Sequence, residues 1–240
     1  MTQDIGQIWV YLSASPLLGL TITLLAYQGA CWVYQRTGCN PLANPVLIAV
    51  VALVLFLLAT ETRYETYFAG AQFVHFLLGP ATVALAVPLY TQFKRVRAMG
   101  LPLLAGLVAG SLTAIVSAVG VGQLFGASTA TQLSLAPKSV TTPIAMGIAE
   151  RIGGIPSLTA VLVIVTGILG ALGARWIFDI LNCRDPAIRG FAIGVASHGI
   201  GTARAFQVNE QSGAFAAFAM GLNGVFTALL VPALAGWMQR

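Results

Sequence analysis

Apolar residues run through this chain in long unbroken blocks, and the polar residues gather in short gaps between them. The first block covers 8–35, with a bend predicted at Pro16. A turn of breakers, Thr37-Gly38-Cys39-Asn40-Pro41, closes it. The second covers 42–60, and its centre, 46–59, holds no polar residue. A link carrying Glu61, Arg63 and Glu65 leads to an aromatic segment, 64–78, that stops at Gly79-Pro80. An apolar piece, 81–93, ends at Lys94-Arg95-Val96-Arg97, and a clean span of small and aliphatic residues occupies 101–124. Blocks 156–181 and 212–238 are each long enough to cross a bilayer, whose core about 30 Å thick takes about 20 helical residues. The alternating strands of a membrane barrel are missing from the pattern. The expected fold is therefore an all-α integral membrane protein. It would have roughly seven to nine transmembrane or half-membrane helices in one membrane domain, 1–240.

Between 126 and 152 the pattern breaks. Residues 126–136 are polar but uncharged, 137–142 are irregular, and 143–152 read as a helix of about 15 Å, half a membrane. Thr142 suits its N-cap, Pro143 its first position and Gly153 its stop. A second break falls at Gly199-Ile200-Gly201, after the apolar, glycine-spaced stretch 188–197. Non-helical backbone at membrane depth must be buried in protein or line a wet cavity. An internal echo accompanies the first break: Pro80-Ala81-Thr82-Val83 resembles Pro137-Lys138-Ser139-Val140, and Gly100-Leu101-Pro102 resembles Gly154-Ile155-Pro156. Breaks near 79–82 and 136–142 thus predict a weak internal repeat, and paired breaks of this kind point to a transport site.

Composition agrees with a membrane protein. Apolar residues make up 58% of the 240, charged residues 8%, against roughly 25% in a soluble domain. Mean hydropathy is +0.86. The net charge of +5 lies in small clusters at block ends, which excludes a nucleic-acid stripe and predicts a cytoplasmic 94–97. Arg36 is then inside too, and the N-terminus and 61–65 outside. Asp4, with no early basic run, makes the first block a retained helix rather than a cleaved signal. Cys31, Cys39 and Cys183 have no ligand spacing and read as packing residues.

Lys138 carries the most information. A charge at membrane depth costs at least about 2.5 kcal/mol and marks function by default. Ser139, Thr141 and Thr142 add hydroxyls, and the N-terminus of the half-helix adds free N–H groups and a positive dipole end. Together these suit a small carboxylate. The plainer alternative has Lys138 snorkelling from an interfacial loop. The second constellation runs from Ser197 and His198 through Thr202 to Arg204. Here His198 can take a proton near neutral pH and Arg204 can grip a carboxylate, unless this is a cytoplasmic loop. Thr202 suits the N-cap of the next segment. Glu150 and His198 are candidates for coupling to a proton or cation, with a surface Glu150-Arg151 pair as the plainer reading. Asn223 either bonds another helix or faces the pathway. His75 reads as a packing residue. The pairs Gly106/Gly110, Gly167/Gly170 and Gly190/Gly194 let helices approach closely, and the first and last are candidate faces for a partner. With no Walker loop, zinc spacing or dinucleotide fingerprint, no enzyme activity, metal or cofactor is expected.

The stretches PKSVTTPIAMGIAERIGGIPSLTAVLVIVTGILG (137–170) and RGFAIGVASHGIGTARAFQVNEQSGAFAAFAMGLNGVFTALL (189–230) resemble the signature of the LrgB/CidB family. One departure is Gly147, where a bulkier, often acidic residue would be expected. The resemblance implies a multi-pass protein of the bacterial cytoplasmic membrane, and it implies two functions. One is carriage of small monocarboxylates such as pyruvate, glycolate or glycerate, by an elevator-like motion in a fold of antiporter or bile-acid-transporter type. The other is antiholin-like control of murein hydrolases and lysis. Both imply a small LrgA/CidA-type membrane partner, and analogy with elevators implies a homo-oligomer held in lipid.

Overall fold

The structure is a computed structural model that describes residues 16–38, 40, 43–77, 80, 83–84 and 86–238. Among these every regular element is a helix. The chain divides into two compact units, Met1–Ala84 and Leu85–Arg240.

The first unit holds α1 (Pro16–Arg36), α2 (Pro45–Ala59) and α3 (Tyr64–Phe76). Asn44 starts α2: its side chain accepts from the N–H groups of Val46 and Leu47 at 2.9 and 3.2 Å, and Pro45 takes a first-turn place that needs no donor. A Cβ at Gly19 would lie 2.5 Å from the Tyr67 carbonyl, so α1 and α3 touch backbone to backbone there. The pair is also joined by a 2.7 Å bond between the Thr23 and Tyr67 hydroxyls.

The second unit holds α4 (Ala86–Thr91), α5 (Phe93–Ala98), α6 (Gly100–Leu124), α7 (Thr129–Leu135), α8 (Thr142–Ile152), α9 (Pro156–Ile180), α10 (Pro186–Val208) and α11 (Glu210–Met238). Among the described residues four helices are long and apolar enough to cross a membrane: α1, α6, α9 and α11. These four do not by themselves make up the seven to nine passes or half-passes read from hydropathy. Residues 8–15, which include part of the expected first span, lie outside the described residues, as does most of the expected break near 79–82.

The half-helix α8 is where the sequence puts it, and its stop is Gly153 in the left-handed conformation, φ +87°. The Gly154 N–H closes back on the Ala149 carbonyl at 2.8 Å. Its start differs by one residue from expectation. Thr141, not Thr142, is the N-cap, because the Thr141 carbonyl already accepts the first helical bond, from Ala145 N–H at 2.9 Å. Pro143 moves to the second position, still within the turn whose N–H groups need no partner. The polar stretch before the break is partly helical as α7, which Ser128 caps. The buried Ser134 ties that end to α9: its hydroxyl accepts from Ile155 N–H at 2.7 Å, and its carbonyl accepts from the Thr159 hydroxyl at 3.2 Å.

The break in α10 also differs by one residue. It lies at His198, φ +42° and ψ −133°, while Gly199, Ile200 and Gly201 continue the helix. The glycine beyond the break serves packing instead. The turn is sharp enough that a Cβ at Gly201 would lie 2.6 Å from Ile193 Cγ2 and from Ser197 Cβ. Thr202 is not a cap; its hydroxyl donates to the His198 carbonyl at 2.8 Å. The half of α10 before the break lies against α11, where Cβ atoms at Gly190 and Gly194 would overlap the carbonyls of Ser212 and Ala216. Leu103, Leu107, Phe191, Val195, Phe215 and Ala219 form the core between α6, α10 and α11.

Candidate functional site

A cavity of about 720 Å³ opens in the second unit between α6, the loop before α8, α9 and the first half of α10. Most of its wall is apolar: Met99, Leu103, Leu169, Ile188, Phe191 and Val195 are typical. Four polar side chains line it, Lys138, Ser139, Thr166 and Ser197. Among the described residues no carboxylate lies within ion-pairing distance of Lys138. The three hydroxyls, too, have no hydrogen-bond partner among the described residues, although no buried polar side-chain atom is left unsatisfied. The cavity therefore concentrates unused donors in an otherwise apolar chamber, the pattern of a small-molecule site.

Both broken segments reach this chamber, and small residues let them. Gly106 and Gly110 of α6 line it opposite Phe191 and Val195. On α9, a Cβ at Gly170 would overlap Ser197 Oγ, and one at Gly167 would lie 2.8 Å from the His198 ring. The pairs Gly167/Gly170 and Gly190/Gly194 thus close the protein's own helices on one another. The face at Gly190/Gly194, expected as a partner surface, is taken up by α11, while Gly106 and Gly110 line the cavity.

Asn223 of α11 joins the two breaks. It is 1% exposed, and its Nδ2 donates to the Ser139 carbonyl at 3.1 Å and the Val195 carbonyl at 3.0 Å. Val195 lies in the last turn of α10 before the break at His198. Oδ1 of Asn223 accepts from Ser111 at 2.5 Å and Thr227 at 3.3 Å. All four bonding positions of the carboxamide are filled.

Of the residues selected from sequence, the structure brings Lys138, Ser139 and Ser197 together on the cavity wall, with Asn223 directly behind it. His198 is 3% exposed and is not on that wall; its Nε2–H donates to the Val163 carbonyl of α9 at 3.0 Å. Thr141 and Thr142 are half-buried at the start of α8, beyond the wall. Thr202 is buried, and half-buried Arg204 bonds Gln207 at 3.4 Å on the far half of α10. Glu150 is exposed near the end of α8. A side chain at Gly147 would meet nothing within 4 Å, so the absent bulkier residue leaves open space. Sequence reasoning passed over Thr166 and Ser111. The available signal was a hydroxyl inside each apolar span, for Thr166 directly before Gly167.

The LrgB-like family profile matches residues 23–237. The chain belongs to the LrgB-like family. Among its relatives, the uncharacterized protein YwbG of Bacillus subtilis is 35% identical over 92% of this chain and 98% of its own length. Proteins named antiholin-like protein LrgB, from Bacillus mycoides and Bacillus cereus, are each 32% identical over 91% of this chain and 95% of theirs. No solved structure matches. Within this LrgB-like chain the cavity, both breaks and Asn223 all lie inside the matched region.

Proposed function

We propose that this LrgB-like membrane protein binds a small monocarboxylate in the α6–α9–α10 cavity and carries it across the membrane. The observation that carries the reading is Lys138 on the cavity wall, with no counter-charge among the described residues and hydroxyls of Ser139, Thr166 and Ser197 around the same chamber. A lysine on a largely apolar wall is stabilised by an anionic partner, and a ligand carboxylate supplies one. The hydroxyls donate to its oxygens. Asn223 holds both walls in register, and His198 fixes the turn that presents Ser197.

The test is uptake of a radiolabelled panel (pyruvate, glycolate, butyrate and hexanoate) into proteoliposomes, alone and with an LrgA-type partner, with and without a pH gradient. Saturable uptake lost in Lys138→Met is expected. Uptake that persists unchanged in that variant would remove Lys138 from the site.

A second reading is favoured by the names of the relatives: an antiholin-like regulator of murein hydrolases that moves no solute. On names alone this is the better-supported of the two, and a folded protein inactive toward the whole panel under every gradient would overturn the carrier reading for these acids and favour this one.

A further inference from the structure

We propose that the two broken segments are re-entrant hairpins that dip into the membrane from opposite faces, and that the polar residues where their tips meet are open to water from the α10 face alone. Neither statement depends on what the cavity binds.

The register of the contacts along α11 gives the direction of each half of α10. Gly190 and Gly194 meet Ser212 and Ala216 in turn, so residues 186–197 run parallel to α11. Beyond His198 the order reverses: the Thr202 hydroxyl lies 3.8 Å from Met220 Sδ, and a Cβ at Gly213 would overlap the Phe206 ring. The second half of α10 therefore runs back along α11, and Asn209 alone separates the two helices. Both ends of α10 are tied to one place. Arg95 pairs with Asp185 at 2.6 Å, and Gln211 Nε2 donates to Gln92 Oε1 at 3.0 Å. Residues 186–197 rise about 18 Å, roughly half a bilayer, before the turn. The other break is its counterpart. Ser134 sits beside Gly154 and bonds Ile155, at the far end of α9 from its contacts with Ser197. The chain then dips to Ser139, whose carbonyl meets Asn223, and α8 returns it to Gly153.

The cavity occupies only one half of this arrangement. Gly106 and Gly110 meet Phe191 and Val195 in turn, so α6 also runs parallel to the first half of α10. The lining starts at Met99, Pro102 and Ile188, level with the first turn of α10, and ends at Lys138, Ser139 and Thr166, where the tips meet. Past the tips the space is filled: Ile115, Val140, Ala145, Ile148, Val163 and Val231 pack into a buried apolar core around α8. Sideways the wall is open, with Leu169 62% and Ile188 47% exposed, but in a bilayer that direction meets hydrocarbon or protein rather than water. Water thus has a route to Lys138 from the α10 face, and the α8 hairpin stops the other.

The experiment labels single cysteines, in a background without Cys31, Cys39 and Cys183, in intact cells and in inverted vesicles. An impermeant maleimide probes the loops and an impermeant methanethiosulfonate the cavity. Arg184→Cys and Glu210→Cys, at the two ends of α10, should react from one face, and Thr129→Cys and Ser157→Cys, flanking the other hairpin, from the opposite one. Ala114→Cys and Ala196→Cys, both on the cavity wall, should be modified from the Arg184 face only. That modification is read as loss of the gel shift given by a polyethylene-glycol maleimide after denaturation. Arg184→Cys and Glu210→Cys reacting from opposite faces would make α10 a span and overturn the hairpin. Modification of either cavity cysteine from the Thr129 face, or of neither from any face while both react once denatured, would overturn the one-sided access. The labelling uses no acid, so one-sided labelling without uptake would count against the carrier reading alone.

Discussion

Asn223 and Ser139, 84 residues apart in the chain, are joined by a 3.1 Å hydrogen bond from the carboxamide to the backbone carbonyl. A second bond from the same nitrogen reaches Val195, so one side chain donates to a backbone carbonyl on each side of the cavity. Asn223→Leu should therefore cost about 1–3 kcal/mol for each carbonyl left buried without a donor. Asn223→Asp keeps the acceptors for Ser111 and Thr227 but loses both donors, and should be at least as damaging. Ser111→Ala, which removes one donor only, should be milder. Unfolding in detergent with increasing sodium dodecyl sulfate ranks the three, and a wild-type midpoint for Asn223→Leu would show that the bridge holds nothing.

His198 has a backbone conformation that glycine adopts freely and other residues adopt at a cost of about 1–3 kcal/mol. Its side chain offsets part of that cost through the bond to the Val163 carbonyl. His198→Ala loses the bond and keeps the strain. His198→Gly loses the bond and releases the strain. The glycine variant should thus be the more stable of the two by about 1 kcal/mol, the reverse of the usual order within a helix. Parallel denaturation of the two variants decides it; an alanine variant that wins would mean the turn at 198 is unstrained.

Gly170 leaves room for Ser197, whose Oγ occupies the place a methyl group would take. Gly170→Ala should destabilise the protein by about 1–3 kcal/mol through overpacking. Pairing it with Ser197→Gly should restore most of the loss, since the overlap is with the serine side chain. Gly100, whose Cβ would meet nothing within 4 Å, gives an alanine control expected near zero. Additive effects in the Gly170–Ser197 double-mutant cycle would contradict the contact.

Arg95 bonds Asp185 at 2.6 Å, linking the basic cluster of α5 to the residue that caps α10. Met99 and Ile188, about one turn further along, begin the cavity wall. Residues 94–97 of the short helix α5 and the loop at 182–185 must therefore lie on one side of the membrane. By the distribution of Lys and Arg that side should be the cytoplasm. In a cysteine-free background, Lys94→Cys and Arg184→Cys should both resist an impermeant maleimide in intact cells and react in inverted vesicles. Opposite labelling of the two would break the pairing.

Much of the local architecture was legible along the chain, because local signals decide it. The half-helix α8 followed from Pro143 near its start and Gly153 at its end, and only the cap moved, by one residue. The spans α6, α9 and α11 followed from length and hydropathy. The second break was legible to within a residue, since glycines announce departures from the helix. They did not reveal that the strained position is His198, because that depends on a bond to Val163 from another helix.

The sequence by itself determined that this is a helical membrane protein with a cation, hydroxyls and broken helices in its C-terminal half. Those properties reside in composition, periodicity and single residue types. Tertiary structure alone decided which polar residues share a chamber. Ser197 faces it with Lys138 while its neighbour His198 turns to α9, because successive residues at a break point in different directions. Thr166 joins them because Gly167 and Gly170 let α9 approach, and Asn223 bridges the breaks because α11 passes behind both. Such proximity arises from packing between segments far apart in the chain, and no pattern along one segment encodes it.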